Sequence, residues 1–349
     1  MLGINQELRD KAEKKLSTFS KVLKTCLKVK NEEVLVITDY GSGEKQLAAM
    51  VGHGFYKAAL NKGYKTGIVF QESKKGFMQA DSNVVNTLQR LENNSIVVLS
   101  LSNKLGRLGH LGKSFRNFCK DKNLRFISSS GLGGVNSGQF DIFAEAIDIN
   151  YNRMRKHGLK LKSKLDRAKE IKVKTEKGTN LVFDVEGKQA IANVGDYKEA
   201  GTGGNIPAGE VYIPPKGLGG VNGKLVIDGS MRCDEGTMLL KEPLELEVKE
   251  GRIVDIKGMY KGLLEKTLIR REDRAKYPER VRLIGELGIG INPKAVLIGS
   301  SILDEKVLGT AHVAIGSNAW FGGEIRTVLH LDQVFMAPKI FLDGELLKV

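Results

Sequence analysis

Cysteine is scarce. The 349 residues carry three, Cys26, Cys119 and Cys233, widely separated and odd in number, which excludes a disulfide framework and a CxxC zinc site. Seven prolines and 6% aromatics, beside 41% hydrophobic and 28% charged residues, exclude a disordered or fibrous chain. No apolar run reaches about 18 residues, so no membrane-spanning helix is expected. The first fifteen residues (MLGINQELRDKAEKK) read as the start of an amphipathic helix, without the apolar core and cleavage site of a secretory signal. The expectation is a cytoplasmic protein. At roughly one domain per 150 residues, the length predicts two domains, each with its own core.

Charge of one sign is in excess, but it is not concentrated. The net charge of +14 divides into +8 for residues 1–150 and +6 for residues 151–349, so neither half is a basic arm. The densest stretch, residues 153–174, holds ten basic and two acidic side chains with leucines among them and no aromatic to stack on a base. It reads as a solvated linker helix over residues 153–170, and a nucleic-acid partner is not expected.

Residues 1–152 alternate strand and helix patterns. Strands are expected at residues 33–39 (EVLVITD), 65–70, 95–101 (SIVVLSL) and 124–128, with helices at 44–61, near 83–91 and near 114–121. Such alternation predicts an N-terminal parallel-sheet α/β domain. The turn Asp39-Tyr40-Gly41-Ser42-Gly43 lacks both the GxGxxG spacing and the Lys-Ser/Thr ending of a phosphate loop, and reads as a plain strand-to-helix connection. Residues 171–349 have another texture: hairpin patterns turning at Lys177-Gly178 and Glu250-Gly251, a strand at 224–228, and one helical stretch at 261–274. The fold class is therefore α/β followed by a strand-rich α+β domain.

Chemistry concentrates in four segments of that second domain: GEVYIPP (209–215), GELGIGINP (285–293), GTAHVAIG (309–316) and LHLDQV (329–334). Each sets an ionisable group in an apolar, strand-like run, where an isolated buried charge costs several kcal/mol, so it must be neutralised, paired or bound to a cation. The strand period of two puts His330 and Asp332 on one face. His312 shares its face with Ala314 and Gly316, which leave room beside the imidazole. Glu286 has little polar company, and Glu210 opens a strand after a Gly/Pro-rich loop. Mixed oxygen and imidazole donors suit zinc, cobalt or manganese.

On these motifs, together with VIDGSM, ILDEKVLGTAHVAIGSN and FGG, the chain from about residue 161 to 349 resembles the metal-dependent aminopeptidases of the thermophilic aminopeptidase T/S type, in their leucyl aminopeptidase-like branch. The resemblance implies a homodimeric metallopeptidase whose C-terminal domain holds two divalent metal ions (Zn, Co, Mn or Mg) on Glu210, Glu286, His312, His330 and Asp332. It implies removal of an N-terminal residue from a peptide by a metal-activated water. Glu305, seven residues before His312, is the candidate general base, with a structural salt bridge as the alternative, and Arg326 is a candidate anchor for a substrate carboxylate. Many family members carry a tyrosine ligand seven residues after the HxAxG histidine. Here that position is Ala319, so a weaker second ion is expected, with Asn318 as a substitute donor. The alternative is a catalytically silent homologue that binds metal or a partner.

Overall fold

In the computed structural model, residues 4–348 are described. They divide into two compact units, one reaching Tyr151 and including Gly195–Ala208, the other formed by Asn152–Val194 and the chain from Gly209 onward. The first unit holds a parallel five-stranded sheet in the order Thr66–Gln71, Val34–Asp39, Ile96–Leu101, Arg125–Ser130, Gly203–Asn205. Val34–Asp39 and Ile96–Leu101 are buried along their whole length, as parallel strands covered on both faces must be. The predicted helices form over Leu47–Asn61, Ser82–Arg90 and Phe115–Asp121. At the N-terminus a helix spans Gln6–Glu13, capped by the Asn5 side chain; residues 1–3 of the expected helix lie outside the described residues. The Gly41-Ser42-Gly43 turn closes locally, with the Asp39 carboxylate accepting from Gly41 N and from both the amide and hydroxyl of Ser102.

Two antiparallel seven-stranded sheets make up the second unit. One runs Arg252–Lys257, Leu244–Lys249, Val221–Ile227, Asn180–Asp184, Glu170–Lys174, Lys339–Leu342, Glu345–Leu346. Its strands alternate buried and open residues, and the expected tight turn at Glu250-Gly251 has both residues at positive φ, +46° and +75°. The other runs Gly236–Leu239, Ser230–Cys233, His330–Met336, Thr310–Gly316, Ile284–Gly290, Glu210–Ile213, Ile191–Asn193. Here Ile284–Gly290 and Thr310–Gly316 are buried at every residue, so both faces are covered and no polar side chain on either can rely on water.

Two boundaries differ from the sequence reading. The basic helix spans Tyr151–Leu165 and the chain is already in a strand at Glu170–Lys174, so residues 166–170 are not helical. Nor is it a solvated linker: Met154, Leu161 and Leu165 are buried, and a Cβ on Gly158 would lie 2.4 Å from Val194 and 2.9 Å from Ile291. The buried side of the helix, with Gly158 against Val194 and Val211, lies on the sheet, while Arg153, Lys156 and Lys160 are exposed. The segment 195–208 belongs with the first unit rather than the second, because Gly203–Asn205 completes the parallel sheet beside Arg125–Ser130. Three residues rich in glycine carry no pattern from which a strand is read.

Gly54 tests the packing of the first unit. A Cβ there would lie 2.2 Å from the Phe19 ring, which is fully buried and meets Phe55 edge to face at 4.7 Å. A helical Gly→Ala change ordinarily stabilises by about 0.5–1 kcal/mol. At this site overpacking, worth about 1–3 kcal/mol, should win, so Gly54→Ala lowers the urea midpoint with an unchanged slope. A raised midpoint contradicts the packing described.

Candidate metal centre

Register collects the expected donors on one face of the second unit's buried sheet. Glu210 lies opposite Gly290, Gly288 opposite both Tyr212 and His312, Glu286 opposite Ala314, Ala314 opposite Asp332, and Gly316 opposite His330. Directly opposed residues in an antiparallel pair share a face. Each large donor therefore has a glycine or alanine beside it. The alternate residues Val211, Leu287, Ile289, Val313 and Ile315 form the apolar reverse face, on which the Tyr151–Leu165 helix lies.

The closest approach is at Gly288. A Cβ there would sit 2.1 Å from His312 Nε2, so the imidazole lies directly over the glycine backbone. From it a continuous chain of contacts runs through the site. His312 Nε2 is 3.2 Å from Glu286 Oε1 and 3.8 Å from Glu210 Oε2; His330 Nε2 is 3.6 Å from Glu286 Oε2 and 3.1 Å from Asp332 Oδ1. All five residues named from the sequence thus meet, although 122 positions separate Glu210 from Asp332. His330 Nδ1 faces the Ser317 carbonyl at 2.9 Å, which fixes that nitrogen as the donor and leaves Nε2 free to ligate. His312 is held differently: its buried Nδ1 has no partner among the described residues, and the flat Gly288 backbone sets its ring.

Protonation follows from these contacts. Burial pushes the His312 imidazole down, but the Glu286 hydrogen bond and the Glu286, Glu210 and Asp332 charges outweigh it and lift the group to about 9. His330 likewise reaches about 9, where burial is outweighed by Asp332 first and then Glu286 and the Ser317 carbonyl. Burial alone raises Asp332, yet His330, His312 and Arg232 hold it far below the usual carboxylate range. The imidazolium forms thus balance the carboxylates as ion pairs.

Among the described residues no three His, Cys, Asp or Glu side chains surround a common ion position; the donors meet in pairs. The donor set nonetheless fits a divalent cation. Ligands on one ion at about 2.0–2.2 Å stand about 3–3.5 Å apart, and the imidazole–carboxylate separations here run from 3.1 to 3.8 Å. Replacing the two imidazolium protons by one divalent cation keeps the charge of the cluster.

Three residues join the site without having been read from the sequence. Lys306 is wholly buried, with Nζ 2.5 Å from Glu210 Oε1 and in contact with Glu305 Oε1. Asn193 donates to the same Glu210 oxygen at 3.2 Å, and Arg232 stands 3.7 Å from Asp332. An adjacent Glu-Lys pair in ILDEKVLG looks like a solvated surface pair, and only burial distinguishes it. Glu305, expected as a base, is itself buried; burial lifts it to about 8 against the pull of Lys306. Arg326 is exposed, and none of the site's ion pairs includes it. Asn318 is not a donor to the cluster. Its amide donates to Gly285 O at 2.9 Å and its oxygen accepts from Ile325 N at 2.8 Å, so both ends brace the loop after the His312 strand. Ala319 opens a short helical turn, Ala319–Phe321, and the exposed Trp320 meets the His330 ring edge to face at 4.7 Å.

The profile of the NicX family, 2,5-dihydroxypyridine 5,6-dioxygenase, matches residues 149–348, more than half of the chain and all of the cluster. The chain belongs to the NicX family. None of the curated protein sequences compared with it matches. Among solved structures it is similar to the 2,5-dihydroxypyridine dioxygenase of Pseudomonas putida, with a TM-score of 0.72 and 18% identity over 96% of this chain and 95% of that one. It is also similar to AmpT of Thermus thermophilus, with a TM-score of 0.65 and 14% identity over 95% and 96% of the two chains. The fold expected from the aminopeptidase resemblance is thus shared, while the family is the NicX branch, an enzyme family named for a dioxygenase. No helix among the described residues is long and apolar enough to cross a membrane.

Two substitutions separate the donors from their support. Gly288→Ala should push the His312 ring aside and weaken binding of Mn(II) or Fe(II) at least about tenfold, the usual lower cost of disturbing ligand support, with the circular dichroism unchanged; unaltered affinity contradicts the placement of His312. Asn318→Ala leaves two buried backbone groups without partners and should destabilise by about 1–3 kcal/mol without changing the number of ions bound. A lost ion would make Asn318 a ligand after all.

Proposed function

We propose that this NicX-family chain is a metal-dependent enzyme that opens a hydroxylated six-membered aromatic ring, nitrogen-containing rings included, with dioxygen as the oxidant. One ring C–C bond and the O–O bond break, and both oxygen atoms end in the product. The observation that carries the reading is the aromatic wall beside the donors. Trp320, the chain's one tryptophan, is 61% exposed yet held edge-on to His330, and Phe321 meets His330 at 6.5 Å and Tyr212 at 5.1 Å. A planar ring finds a matching surface in the exposed Trp320, which Phe321 backs from the buried side.

His312, His330 and Asp332 are the ligands of this reading, with Glu286 between the imidazoles; two imidazoles and a carboxylate with open positions are the set used for non-haem iron oxygenases. When bound, the ion supplies dioxygen activation and a positive charge opposite the ring hydroxyl. The protein's own groups do the rest. Ser317 holds the His330 tautomer through its carbonyl. Arg232, partly exposed and only loosely paired with Asp332, has N–H groups left for a substrate oxygen. Glu305, lifted to about 8, keeps its proton near neutrality and acts as a proton donor rather than as the base first expected.

Peptide hydrolysis is the second reading. It is favoured by the number of acids, since Glu210 and Glu286 beside Asp332 give the carboxylates that a two-ion centre uses. Oxygen uptake and peptide release decide between them. With Fe(II) and 2,5-dihydroxypyridine the expected result is one dioxygen consumed per ring lost, and Trp320→Ala should raise KM by up to about tenfold, since an aromatic contact contributes about 0.5–1.5 kcal/mol. Release of amino acids from leucyl peptides with Co(II) or Zn(II), and no oxygen uptake on any hydroxylated ring, would favour the hydrolase.

A further inference from the structure

Lys306 is the one lysine or arginine side chain among the described residues that is completely buried at the cluster. The turn that carries it is fixed on several sides. Asp304, fully buried in the helical turn Ser301–Asp304, accepts from the amides of Ile298, Gly299 and Ser300 at 2.8–3.1 Å. Lys306 O accepts from Asn292 N at 2.8 Å, and Asn292 O accepts from Leu308 N at 3.1 Å. A Cβ on Gly290, opposite Glu210, would lie 2.1 Å from the Val307 carbonyl, so the strand and the turn touch where the ammonium enters. Burying an unpaired ammonium costs several kcal/mol, and this one is offset by the Glu210 carboxylate, with the Glu305 carboxyl group accepting beside it.

A metal ion bound to Glu210 Oε1 would sit about 2.0–2.2 Å from it. The ammonium, 2.5 Å from the same oxygen, occupies that place. Charge points the same way. The cluster holds four carboxyl groups, Glu210, Glu286, Glu305 and Asp332, with the partly exposed Arg232 at its edge. Because Glu305 keeps its proton, one divalent ion with Lys306 balances the three negative charges of Glu210, Glu286 and Asp332; a second ion leaves an excess of two positive charges.

We propose that the Lys306 ammonium is a resident cation standing in the place of a second metal ion, so that it holds Glu210 and Glu305 together and restricts the centre to one ion. Lys306 is a positioning residue in this account. The inference rests on the metal-centre reading of the preceding section but not on the identity of the substrate, and it deepens that reading by fixing the number of ions.

Ion counting by calorimetry and native mass spectrometry tests it, using protein stripped by chelator and titrated with Mn(II) and, separately, Zn(II). The unmodified chain should take up one ion. Lys306→Met, which opens the space between two carboxylates, should take up two, and Lys306→Arg should take up one. Two tight ions in the unmodified chain overturn the proposal while leaving the metal centre intact, and this arm holds even if Lys306→Met fails to fold. A folded Lys306→Met that still binds one ion overturns it as well. No ion bound by any of the three proteins overturns the metal reading and the proposal with it.

Discussion

Burial of like charges on a single sheet face is the constraint around which the second unit is built. Glu210, Glu286, Glu305 and Asp332 stand at positions from which water is excluded, and each must find positive charge or give up its own. The structure answers with His312, His330, Lys306 and Arg232, interleaved so that every acid has a basic neighbour. The backbone serves that arrangement. Gly288, Gly290, Ala314 and Gly316 are small because the residues across from them are large and charged, and the unbroken apolar reverse face lets one helix cover the sheet from behind.

Much of this was legible in the sequence, for a physical reason. A charged residue in a strand of Leu, Ile and Val stands out because it violates the pattern that buries the strand, and Glu210, Glu286, His312, His330 and Asp332 are such violations. The parallel sheet and the hairpins were equally plain, since periodicity and Gly turns are local signals. What stayed hidden depends on contacts far apart in the chain. Gly203–Asn205 has no strand pattern and becomes a strand only because Arg125–Ser130 offers an edge. Lys306 looks like half of a surface pair until Asn292 and Gly290 fold over it. Asn318 has a donor's chemistry, but both ends of its amide are taken by the backbone of its own loop and of Gly285.

The resemblance to aminopeptidases and membership of the NicX family are compatible at the level of fold and part ways over chemistry. A sheet that gathers five donors onto one face is a platform that admits one ion or two, and function is set by the few residues around it rather than by the sheet. Here those residues are a lysine between two acids, an alanine where a tyrosine ligand was expected, and a tryptophan standing over His330. These are the residues on which the proposed single-ion, aromatic-ring reading rests.

The most direct test of that account is the anomalous scattering of a crystal soaked with Mn(II). The account predicts one peak, bounded by His312, His330, Glu286 and Asp332, with the Lys306 side chain still in contact with Glu210 and Glu305. A peak between Glu210 and Glu305, with Lys306 displaced, would contradict it.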